Sequence, residues 1–163
     1  MTPLRDGGGS ERDPLAKGSA ARVTMRDGEL AMWRPAPTML VTRIEGVLGE
    51  VGAEAIALEM VRVLHADKRL LVMHDWEAMT QLPASAVARM QAAAVDAHEG
   101  LEAVHFVMPV RPGLFGVQAA GALRRPLTFH PTRGAFERRV REEALARWVQ
   151  LASGVRVRPP IPK

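Results

Sequence analysis

Cysteine is absent from this chain of 163 residues, which excludes disulfides and thiolate metal sites and fits a reducing compartment. Long hydrophobic runs are absent too. No segment approaches the roughly 18 apolar residues needed to span a bilayer, and the first residues lack the apolar stretch of a secretion signal. The expectation is a soluble cytoplasmic protein that meets no membrane. Nor is there a glycine-rich phosphate loop, because Gly7, Gly8 and Gly9 precede no helix. Ser85 has no nucleophile-elbow glycines around it, and no internal repeat is visible.

Apolar residues make up 47% of the sequence, ample for one globular core with extensions. The net charge of +4 is unevenly spread: residues 123–163 carry ten Arg or Lys against three Glu, a net of +7, and the rest carries a net of −3. A basic end invites a nucleic-acid reading through Arg133, Arg138, Arg139, Arg141 and Arg147. Those arginines lack interleaved aromatics, and several have glutamates at helical spacing. A solvated helix face is the plainer account.

Residues 1–20, rich in Gly, Ser, Asp and Arg, read as a disordered tail. Val23 and Met25 alternate with polar residues, and an Asp27-Gly28 turn leads to Leu30–Trp33, which together predict an antiparallel hairpin within 21–38. That hairpin is free to pair within the chain or with a second copy, so a homodimer is open. MLVTRIE at 39–45 reads as a strand ended by Gly46, followed by a helix from about Gly49 to His65 with Ile56, Met60, Val63 and Leu64 inward.

Leu70–Met73 is a short apolar run of the kind a doubly covered sheet requires. His74, Asp75, Trp76 and Glu77 then predict a polar crossing loop, before Pro83 opens a helix to about His98 with Val87, Met90, Ala94 and Ala97 inward. LEAVHFVM at 101–108 is a third core strand, with His105 as a packed residue. A short helix over 113–123, a strand at 127–130 and a helix from Thr132 follow. In that last helix Phe136, Val140, Ala144, Trp148 and Leu151 share the inner face, and Glu137 with Arg141 and Glu143 with Arg147 are i,i+4 pairs. The domain spans 21–152, and 153–163 is an extended tail. Alternating strands and helices imply a mostly parallel α/β sheet.

Sites in open α/β sheets tend to lie at the carboxyl ends of the strands. There Trp76, Met79 and Leu82 offer apolar burial for a protein partner, while Asp75, Glu77 and Ser85 set selectivity. An alternative is an enzyme or small-ligand binder in which His74, as general base or metal ligand, works with His130. Adjacent strand residues point to opposite faces, which argues against cooperation of His74 with Asp75. No catalytic residue, metal or cofactor is assigned.

Three stretches resemble the STAS domain, the fold of anti-sigma-factor antagonists: MLVTRIEGVL at 39–48, LLVMHDWEAMTQLPASAVARM at 70–90, and the run from Leu101 to Phe136. The resemblance covers roughly residues 21–150. It implies a four-stranded, mostly parallel core sheet covered by helices, with the hairpin as an N-terminal extension. It also implies a non-enzymatic signalling module acting through a protein partner, a regulator or kinase-like protein. The family's Asp-Ser-Ser-Gly motif falls on Pro83, Ala84, Ser85 and Ala86, so only the phosphate acceptor, at Ser85, keeps its hydroxyl.

Overall fold

Strongly β-forming segments alternate with helices along the chain, and the computed structural model describes Leu15, residues 20–108 and residues 127–154. The order is β1 (Ala21–Met25), β2 (Gly28–Trp33), β3 (Met39–Val47), α1 (Glu50–Asp67), β4 (Leu70–Gln81), α2 (Ala84–Asp96), β5 (Leu101–Val107), β6 (Leu127–Phe129) and α3 (Arg133–Ser153). The tail expected at 1–20, save Leu15 and Ala20, lies outside the described residues. So do the helix expected at 113–123 and the extended segment after Gly154.

The six strands lie in sequence order in one sheet, with β1–β2 and β2–β3 antiparallel and β3–β4–β5–β6 parallel. A parallel four-stranded core with an antiparallel leading hairpin is the predicted architecture. The hairpin pairs with β3 of its own chain.

Because strand side chains alternate between faces, two cores form. Leu40, Ile44, Leu70, Val72, Trp76, Val104 and Phe106 pack beneath α1 and α2, with Ile56, Met60 and Met90 among the helical residues that meet them. On the opposite face Met39, Val41, Leu71, Met73 and Val107 meet Phe136, Val140 and Ala144 of α3. Parallel strands need cover on both sides, and the helices provide it.

Strand β3 does not stop at Gly46. It runs on to Val47 through register shifts, with Gly46 at φ 85°. A Cβ at residue 46 would collide with the carbonyl oxygen of Asp27, and one at Gly28 with backbone atoms of Glu45 and Val47. The hairpin turn is thereby seated on the end of β3, and Val47 N–H donates to the Asp27 carbonyl at 3.0 Å.

A second correction concerns β4. The polar stretch from His74 is no crossing loop, since the strand continues to Gln81. Its polar residues pair with β3, Thr42 opposite His74 and Arg43 opposite Asp75, and each finds a partner on its own face.

Helix α3 gives the third. Thr132 caps it by accepting from Ala135 N–H, and Phe136, Val140 and Ala144 are buried as the spacing predicts. Trp148 and Leu151 are exposed instead of inward. The reason is that Arg147 already reaches Thr38 and Glu102, at the amino ends of β3 and β5, at 2.5 and 2.6 Å. Beyond it the helix overhangs the sheet.

Candidate functional site

Polar groups do gather at the carboxyl ends of β3, β4 and β5, but the sheet divides them. On the α1/α2 side the Trp76 indole N–H donates to Thr42 Oγ1 at 3.2 Å, and Thr42 Oγ1 lies 2.7 Å from His74 Nδ1. An indole nitrogen only donates, so Thr42 Oγ1 accepts from Trp76 and still has one lone pair and one hydrogen for its bond with His74 Nδ1. The His74 ring lies 4.5 Å from that of Trp76 and 4.8 Å from that of Phe106. Burial pushes its pKa down to about 3, so it is neutral and hydrogen-bonded through Nδ1.

On the α3 side, Asp75 is buried at 2% exposure and held by two guanidinium groups, Arg43 Nε at 2.5 Å and an Arg133 terminal nitrogen at 3.0 Å. Arg43 also lies over the Trp33 ring at 5.6 Å. Arg133 extends the cluster to Glu77 at 3.5 Å and Glu137 at 3.3 Å. These bonds tie the start of α3 to β3 and β4.

Beside this cluster His105 Nδ1 and His130 Nε2 stand 3.0 Å apart with stacked rings, and Phe136 meets the His130 ring edge-on. One proton lies between the two nitrogens. Burial lowers the His105 pKa to about 4, with the charges of His130 and Arg139 adding to it. Burial and then Arg139 lower that of His130. Sequence reasoning placed His105 in the core but missed this pairing, because the residues lie 25 positions apart.

The alternative built on His74 and His130 therefore fails on geometry, since the two rings lie on opposite faces of the sheet. Among the described residues no group of three or more His, Asp or Glu is placed to hold a metal ion. A shallow hollow of about 230 Å³ between the ends of α1 and α2, bordered by Leu64, His65 and Asp96, lies at the far end of the strands from these polar groups.

Of the residues expected to meet a partner, Trp76 is fully buried, and Asp75 and Met79 are buried as well. None is free to act as the exposed anchor or selectivity group expected, because the segment is paired strand and not loop. Glu77 and Ser85 are exposed and Leu82 is half-buried. They lie on one continuous run, from the outer end of β4 over Pro83 into the first turn of α2, where no side chain caps the helix. Past Asp75, which is opposite Val107, the pairing of β4 described is with β3, as far as Val47 opposite Gln81.

The basic helix is largely neutralised. Arg139 pairs with Glu142 and Glu143, at 3.7 and 2.5 Å, and Arg147 with Glu102 and Glu143. With Arg133 also engaged, three of the five arginines of the basic stripe are held by carboxylates of this chain. No helix among the described residues is long and apolar enough to cross a membrane.

No family model and no curated protein matches the sequence. Among solved structures the chain is similar to an uncharacterized protein from Shewanella loihica PV-4 with a SpoIIAA-like fold, at 11% identity and TM-score 0.49 over 78% of this chain and 90% of that one. It is also similar to the anti-sigma factor antagonist SpoIIAA in its unphosphorylated form, at 15% identity and TM-score 0.43 over 78% of this chain and 99% of that one. The four-stranded parallel core between helices, led by an antiparallel hairpin, is the α/β architecture that the sequence pattern predicts.

Proposed function

We propose that this chain is a non-enzymatic protein-interaction module, an anti-sigma-factor antagonist-like regulator, which receives a regulator or kinase-like protein on the outer end of β4 and the first turn of α2. The observation that carries the reading is the exposed run from Glu77 to Ser85, in which Glu77, Thr80, Gln81 and Ser85 are exposed and Leu82 is half-buried. An accessible leucine with polar groups around it is the kind of surface that suits a protein partner. Trp76 and Met79 act from below by holding the ridge in place, and Asp75 fixes it to α3. A phosphate on Ser85 would stand at a helix start, where free N–H groups and the dipole favour negative charge.

The test is recovery of partners on the tagged full-length chain, compared with Leu82→Asp and Ser85→Asp variants. Loss of a leucine contact worth about 1.5 kcal/mol lowers affinity roughly tenfold, so partner recovery drops accordingly. Equal recovery by all three proteins removes this surface from consideration. Intact-mass analysis of the chain from its own cells reads the Ser85 modification directly, and an unmodified mass under every growth condition removes the phosphate switch.

A further inference from the structure

The carboxyl ends of α1 and α2 stand side by side at the amino-terminal rim of the parallel strands, and between them lies the hollow of about 230 Å³. Its floor is apolar and fixed. Leu64 packs against the core beneath the helices, Ala97 is buried, and Val61 is half open to solvent. The turn after α2 is locked to the end of α1. Gly100 and Leu101 N–H both donate to the Ala97 carbonyl, at 3.1 and 3.0 Å, Leu70 N–H donates to the Gly100 carbonyl at 2.9 Å, and a Cβ at residue 100 would strike Leu64 Cδ2. The hollow is therefore preformed, as small-molecule sites usually are.

Its rim carries one fixed charge of each sign, and neither is spent. Lys68 closes α1, and Asp67 beside it is given to Arg34 at 2.6 Å. Asp96 is the last residue of α2, the end of a helix at which a carboxylate is unfavourable, and the last turn holds no basic residue to offset it. Arg89 of the same helix is engaged with Glu54. Among the described residues neither Lys68 nor Asp96 takes part in an ion pair, with each other or with a third group. His65 completes the polar rim.

These charges select the ligand class. A simple anion would meet Asp96 and the negative ends of two helix dipoles, and a simple cation would meet Lys68. A nucleotide is too large, since sites for drug-sized ligands begin at roughly 300 Å³. At about 30 Å³ per water the hollow holds the equivalent of roughly eight waters, the scale of a free amino acid.

We propose that the hollow binds a free α-amino acid with a branched aliphatic side chain, its ammonium on Asp96, its carboxylate on Lys68 and His65, and its side chain on Val61, Leu64 and Ala97. The site lies at the opposite end of α2 from Ser85, so its occupancy does not depend on the protein-binding surface there.

The probe is L-leucine, titrated to about 20 mM into the isotope-labelled full-length chain and followed by the backbone amide signals in NMR spectra. The amides of Leu64, His65, Lys68, Asp96 and Ala97 are expected to shift together and to saturate with a Kd on the order of 1 mM. Isocaproate, which lacks the ammonium, and isoamylamine, which lacks the carboxylate, are expected to bind about tenfold more weakly. Asp96→Asn and Lys68→Gln should each weaken leucine binding about fivefold, and added salt should weaken it in the parent chain. Either analogue binding as tightly as leucine overturns the proposal, because the hollow would then be reading a single charge or apolar bulk. So does an absence of shifts at the highest leucine concentration, or a set of shifts centred away from the hollow. If a variant loses its dispersed spectrum, the two analogues on the parent chain decide.

Discussion

Beneath α1 and α2 the sheet buries a neutral chain of hydrogen bonds, from Trp76 through Thr42 to His74, whereas beneath α3 it buries charge, with Asp75 clasped by Arg43 and Arg133. Three consecutive residues of one strand thus face two different solutions to the same difficulty. The neutral side rests on packing: each polar atom needs one partner, and the aromatic rings of Trp76 and Phe106 surround it. The charged side rests on Coulomb attraction that offsets the cost of taking a carboxylate out of water. The first should be damaged by lost volume and the second by lost charge.

The largest effect expected is on the neutral side. Trp76→Ala empties a fully enclosed site and should cost about 3–5 kcal/mol in urea unfolding. A loss below about 1 kcal/mol would mean that α1 and α2 collapse onto the gap, and the contrast between the faces would lapse. Next comes charge without change of volume. Asp75→Asn keeps the shape but leaves the part-buried Arg43 without its counter-charge, at a cost of about 2–3 kcal/mol. Adding Arg43→Met should restore part of that stability; if the double variant is no better than the single, the charge account of this face is wrong.

The smallest effect is graded and tied to pH. Below pH 6.5 the unfolded chain takes up protons on its imidazoles, while the folded chain resists to about 3 at His74 and about 4 at His105. Stability is therefore complete above 6.5 and declines as pH falls from 6.5 toward those values, by up to about 1.4 kcal/mol per unit for each ring. Urea midpoints at about pH 7, 6 and 5 read the slope, and His105→Gln should flatten it by the share of the α3 face. A level profile in the parent chain would show that neither ring is held neutral.

The order of elements was legible because it depends on local pattern: the β-forming run at 39–45, the helical spacing of Ile56, Met60 and Val63, and the apolar strand at 101–107 each carry their own signal. The length of β4 was not. His74 and Asp75 look like loop residues until Thr42 and Arg43 are set opposite them, and those partners are 32 residues away. Trp148 failed for a related reason, since spacing reports which way a side chain points but not where the sheet beneath it stops. The candidate interaction surface was half legible: Glu77, Leu82 and Ser85 are accessible to different degrees, whereas Trp76 is taken by the core.

Gly46 carries a consequence for how this molecule tolerates change. Its bare α-carbon is a notch that the Asp27 carbonyl enters, so one added methyl would act as a wedge at that spot alone. The strain would fall where the turn between the first two strands rests on the end of β3, the place that the bond from Val47 N–H to the same carbonyl now holds shut.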